Sequence, residues 1–374
     1  PKAARNISIE ALRLVAVAGI AIFHTFQWTF QEACTGAVEY APLAAFPYSG
    51  VLGFINLLGC WANEVFFMIS GYFLIASAAR AWNDGTTWAS QIQRTVQRLS
   101  KVVLPTAFYC LVALAWSIVV SPIPDVTLDT HYWYTLGLEF IWVYAATVCM
   151  APLFGLAKNR LSKRSYTAAV ITIGILAFVA NGYLAAMSAT SAGEFSWLQK
   201  IMSAATYVVA FLIGGLLRDV TDSMGSGRAR ALGSRSLIAV LAIAIVLEST
   251  LSFTGNLTAM ATLSYKSTSL ISFVLAAASL LFAATRHSTS SNPRVAGVIV
   301  TLSAATLGFY VMQSLTSSLW RPIFNAMLAN ILVAQSNPAS ICIATGTVIS
   351  IVFALVLLVV DAVRSRVVHS LRQQ

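Results

Sequence analysis

Charge is what this sequence has least of. Only 10% of its 374 residues are Asp, Glu, Lys or Arg, against 58% that are hydrophobic, and the acidic residues number just 13. Soluble domains carry about a quarter charged residues, so this composition excludes a water-facing globule and leaves a polytopic membrane protein. Cysteine is sparse as well. Cys34, Cys60, Cys110, Cys149 and Cys342 show no close spacing, and four of them sit in apolar runs. They read as small buried hydrophobes, with no disulfide framework and no metal site. A Gly-rich dinucleotide fingerprint, a phosphate loop and a convincing internal repeat are all missing. The apolar runs are long and continuous where barrel strands would alternate over about ten residues, which sets a β-barrel aside.

What is present is a series of apolar runs, each near the roughly 20 residues that cross a bilayer. They lie at about 8–28, 51–78, 102–121, 131–156, 166–187, 199–217, 236–253, 267–285, 295–319 and 339–361. The expected fold is therefore all-α, a bundle of about ten transmembrane helices in one domain spanning 1–374, with no fused extracytoplasmic domain. The net charge of +10 suggests nucleic acid until its distribution is read. With the N-terminus inside, 19 of the 23 Lys and Arg fall on the inner side, Lys200, Lys266 and Arg321 on the outer side, and Arg13 within the membrane. This asymmetry predicts cytoplasmic termini. The first run lacks a small-residue cleavage site and contains Arg13 and His24, so it reads as a retained span.

That first span is the anomaly. It carries Glu10, Arg13 and His24, and ionisable groups at bilayer depth are by default a functional-site hypothesis. Eleven residues at 100° each bring Arg13 and His24 to one face, roughly 17 Å apart along the axis. A permanent cation near the inner leaflet suits an anionic donor, and an imidazole nearer the outer leaflet suits proton transfer with an acceptor. Glu10 is placed to pair with Arg13. Glu64 in the second span needs a partner, with His24 and Arg13 as the choices; Glu139 and Glu248 are further intramembrane carboxylates. Arg94, Arg98 and Lys101 recur on one face of a basic interfacial helix before the third span. A purely structural reading is equally open at this point: Glu10 neutralises Arg13, Glu64 makes a polar helix contact, and the basic face meets lipid headgroups.

Several motifs, in order along nearly the whole chain, resemble the acyltransferase-3 family of integral membrane acyltransferases. Arg5-Asn6-x3-Glu10-x2-Arg13 followed by His24 is similar to its start, and Asn63-Glu64-Val65-Phe66-Phe67-Met68-Ile69-Ser70-Gly71-Tyr72 to its second-helix signature. Arg94-x3-Arg98-x2-Lys101-x3-Pro105 resembles its basic loop, and His131-Tyr132-Trp133-Tyr134, with Tyr144 and Pro152 downstream, the start of a later span. Gly308-Phe309-Tyr310-Val311-Met312-Gln313 matches a near-C-terminal element, with Gln313 where the family often has His. The resemblance implies His24 and Arg13 as the catalytic pair, and Glu64, read from its place in the second span, is set beside them to hold His24 in one tautomer or pair with Arg13. It implies a cytoplasmic acyl-CoA donor, acetyl-CoA above all, bound by Arg94, Arg98 and Lys101. Glu10, Ser70, Tyr72, Trp133, Tyr310 and Gln313 are the implied substrate contacts, and the acceptor a hydroxyl of an envelope glycan or its lipid-linked precursor at a bacterial cytoplasmic membrane. No metal is implied. Ser70 is a poor nucleophile candidate, since Ser-Gly is also the composition of a tight helix crossing. A multi-pass transporter or flippase using the Arg/His/Glu set as its path is the alternative.

Overall fold

The computed structural model describes residues 6–124, 126, 127, 138–190, 196–264, 269–286, 292–334 and 336–371, with the side chains of 188–190, 196, 226, 369 and 371 left aside. Among the described residues there are helices and no strands. The chain begins with α1 (Ile7–Thr35). Its N-cap is Asn6, whose side chain accepts from the amides of Ser8 and Ile9, and it stops at Gly36, which takes the left-handed conformation at φ 79°. A 3-10 turn (Val38–Tyr40) and a short α2 (Ala41–Ala44) lead into α3 (Tyr48–Asn83), the longest helix. Then follow α4 (Trp88–Val119), α5 (Glu139–Arg160), α6 (Lys163–Thr190), α7 (Ser196–Ser223), α8 (Ser226–Phe253) and the short α9 (Leu257–Leu263). The chain closes with α10 (Leu270–Thr285), α11 (Pro293–Ser303), α12 (Thr306–Leu315), α13 (Ser317–Ala334) and α14 (Pro338–Leu371).

A helix apolar all round belongs in the middle of a bundle. That is α3, mostly buried and packed against α1, α5, α7, α8 and α10. The crossings are close because small residues stand at them. A Cβ on Gly71 would meet the Phe211 carbonyl, and one on Gly214 would meet the Met68 carbonyl, so α3 and α7 approach backbone to backbone in both directions. Gly59 receives the ring of Phe23 and Gly346 that of Phe26, which seats α1 between α3 and α14. Hydrogen bonds between helices, such as Trp61 to Ser279 at 3.1 Å and Ser350 to Thr25 at 2.8 Å, add to this packing. At an average of about 0.6 kcal/mol each in membranes, such bonds are secondary to the close contacts.

Among the described residues eight helices are long and apolar enough to cross a membrane, and the bent pair α11–α12 makes a ninth. Adding the shorter apolar Leu270–Thr285 gives the ten segments expected from the sequence. Three expectations are corrected. The basic helix and the third span are one continuous helix, α4, which runs through Pro105. The ninth span is not one rod: α11 and α12 meet at a 42° bend at Ala304–Ala305. Beyond it the expected outer loop is helical as α13, where Arg321, Pro322 and Asn325 interrupt the apolar pattern and hide the helix from a hydropathy reading. Arg321 is accordingly no loop residue, and it is partly buried on α13. His131 to Tyr134, Trp133 included, lie outside the described residues.

Candidate active site

A cavity of about 360 Å³ opens among α1, α3, α4, α5 and the α11–α12 bend. Its lining includes the cations Arg13, Arg98 and Lys101 and the aromatic rings of Phe66, Phe140, Tyr144 and Tyr310. Along α1 its wall is Arg13, Val17 and Ile20. These are positions i, i+4 and i+7, one stripe of the helix, and the next position on that stripe is His24. α1 is unbroken from Ile7 to Thr35, so the cavity occupies roughly 10 Å of the roughly 17 Å between Arg13 and His24 and ends about one turn short of the imidazole.

The cations at the cavity are restrained in different degrees. Arg13 Nη1 lies 2.9 Å from Glu10 Oε2, and the same oxygen accepts the Ser303 hydroxyl at 2.7 Å. Glu10 is thus nearly fully buried beneath Arg13 and does not reach the cavity surface. Arg98 donates to Ser77 Oγ at 3.2 Å, while Lys101 is exposed at the mouth. Arg94, one turn earlier on α4, is exposed and outside the lining. The three basic residues expected to act together are therefore divided, two at the cavity and one beyond it.

Ser70 and Tyr310 both line the cavity. Ser70 Oγ donates to the Phe66 carbonyl at 2.9 Å and is also 3.1 Å from the Tyr144 hydroxyl. Tyr310 packs on Phe140 with ring centroids 4.5 Å apart. Tyr72 points elsewhere: its hydroxyl is 2.9 Å from Thr221 Oγ1, and the Arg218 guanidinium sits over its ring. Gln313 is buried off the cavity, with its main-chain carbonyl accepting Trp320 Nε1 at 3.0 Å and its side-chain Nε2 without a partner among the described residues.

His24 has a neighbour that the spacing of charges did not suggest. Arg321 Nη2 is 3.0 Å from His24 Nδ1. Glu64, proposed from sequence as a partner for His24 or Arg13, instead accepts from the Cys60 thiol at 3.4 Å, and its Oε2 has no hydrogen-bond partner among the described residues. It is fully buried in α3. Glu248 is likewise buried on α8, beside Gly53 and Met260, and neither of its oxygens has a hydrogen-bond partner among the described residues. Glu139 is exposed in the first turn of α5, where the helix dipole favours a carboxylate. No group of three or more metal-ligating side chains occurs among the described residues.

A family model described as an acyltransferase domain matches residues 6–359, nearly the whole chain. The chain belongs to the acyltransferase-3 family. This makes it an acyltransferase, and its long apolar helices make it a multi-pass membrane protein. No curated protein and no solved structure matches it. In this acyltransferase the residues that sequence missed are Arg321, Ser303 and the hydroxyl of Tyr144, which had entered only as part of a motif. Arg321 left one trace, a guanidinium between Trp320 and Pro322 in an otherwise apolar stretch. Ser303 left none, because a serine near a helix end is ordinary.

Proposed function

We propose that this acyltransferase moves an acyl group, acetyl above all, from acyl-CoA at the basic end of the bundle to a hydroxyl of an envelope glycan or lipid-linked glycan precursor in a bacterial cytoplasmic membrane. The observation that carries this reading is the cavity stripe on α1, which starts at a cation and runs toward an imidazole. Arg98 and Lys101 at the mouth supply charge-assisted contacts for the donor's phosphates. Arg13, held by Glu10, orients the donor arm, which lies along Val17 and Ile20 against the aromatic wall. The thioester carbonyl then reaches the His24 end.

His24 acts as general base. It takes the acceptor hydroxyl's proton as that oxygen bonds to the carbonyl carbon, the carbon–sulfur bond breaks and the thiolate leaves with the electron pair. Ser70, Tyr144 and Tyr310 border the donor as polar wall groups, and Glu64 supports the α3 side of the bundle. The test is transfer of labelled acetyl from acetyl-CoA in reconstituted vesicles, paired with the mass of the envelope glycan from cells with and without the protein. Loss of the glycan mass increment in His24→Ala and Arg13→Ala supports the assignment. Full acylation by both variants overturns it.

A further inference from the structure

Arg321 is a permanent cation inside the bundle, and among the described residues no carboxylate lies within ion-pair distance of it. Its Nη2 contacts His24 Nδ1 at 3.0 Å, and its buried Nε has no hydrogen-bond partner among the described residues. Its guanidinium carbon lies 5.5 Å from the centre of the Trp320 ring. Trp320 is itself fixed, by its bond to the Gln313 carbonyl and by packing on Phe324 and Phe353. A desolvated guanidinium with a spare N–H in a fixed direction is a receptor for an anion.

The contact also determines what His24 can do. A guanidinium only donates, so Nδ1 must accept, and a neutral imidazole in this pairing carries its proton on Nε2. With Arg321 in place, Nε2 carries the proton and the one basic lone pair, on Nδ1, is taken by the guanidinium, so none is available to a hydroxyl. We infer that Arg321 is the acceptor-side anion site: a phosphate or carboxylate group of the acceptor pairs with its guanidinium, draws Nη2 off His24 Nδ1, and so frees the lone pair that takes the hydroxyl proton. This rests on the general-base role given to His24 above. It ties the base to the arrival of an anionic acceptor, so a bound donor meets no competent base while the acceptor is absent.

The experiment uses the full chain in nanodiscs, labelled with nitrogen-15 histidine, with the His24 signals assigned by their absence in His24→Gln. Decyl phosphate, glucuronate and the neutral decyl maltoside are titrated as probes. The expected result is a saturable change at His24 Nδ1 with an anionic probe and none with decyl maltoside. Arg321→Gln should weaken the anion's effect roughly tenfold or more, and Arg321→Lys should keep most of it. A response to decyl phosphate alone supports a lipid phosphate as the source, a response to glucuronate alone an acidic sugar, and a response to both an anion of either origin. No response to either anion, or the same response in Arg321→Gln, overturns the inference. Because the readout is binding, an anion response together with full acylation by His24→Ala would sink the catalytic role and leave the anion site standing.

Discussion

Arg13 and Arg321 are both guanidiniums inside the bundle, and their surroundings are opposites. Arg13 has a carboxylate within 3 Å, a serine hydroxyl on that carboxylate, and open space in front of it. Arg321 has an imidazole and an aromatic face, and no carboxylate among the described residues. A neutralised cation can sit at a cavity wall permanently and lend direction more than charge. A cation without a counter-ion keeps its full attraction for whatever anion enters. The two ends of one helical stripe are thus suited to different tasks: steady positioning of a donor at one, and response to an arriving group at the other.

The difference can be broken from either end. The largest effect is expected at the imidazole: His24→Ala should lower the rate of acyl transfer by about 10²–10⁴, the usual contribution of a general base, with the donor's Michaelis constant little changed in steady-state assays. Next is the cavity mouth. Arg98→Gln with Lys101→Gln should raise the donor's Michaelis constant by roughly tenfold or more and leave the acceptor's in place, an effect that shrinks with added salt. The separation of the two ends depends on the bundle holding its spacing. Gly71→Ala forces a methyl against the Phe211 carbonyl and should destabilise the protein by about 1–3 kcal/mol, read as a lower melting temperature in detergent. Smallest is Arg94→Gln, which should change donor affinity by less than about twofold, since an exposed charge one turn outside the cavity is screened. A large donor effect from Arg94 would return the whole basic face to donor binding and undo the division made here.

Much of this was legible beforehand, for physical reasons that also explain the rest. Ten apolar runs announce themselves because lipid tolerates few substitutes for a helix of about 20 apolar residues. Glu10 and Arg13 pair because helical spacing fixes them as neighbours, and periodicity alone put Arg13 and His24 on one face. Contacts between helices distant in sequence obey no such local rule. Arg321 lies 297 positions from His24, and nothing in either segment declares the other. Glu64 shows a different limit: a carboxylate in a span demands a partner and several are within reach of it, and in the fold Cys60, one turn earlier, answers on one oxygen while the other has no partner among the described residues. Arg94, Arg98 and Lys101 share a face of α4 by spacing alone, but spacing does not give the extent of a cavity, and only Arg98 and Lys101 fall within its lining.

The bend in the ninth crossing adds a charge that no side chain carries. No side chain caps α12, and its first residues, Thr306 and Leu307, line the same cavity as Arg13. A helix start presents about half a positive elementary charge through its amides, which belongs to the backbone. A protein stripped of Arg98 and Lys101 would therefore still draw a phosphate toward the same place, through these amides together with Arg13.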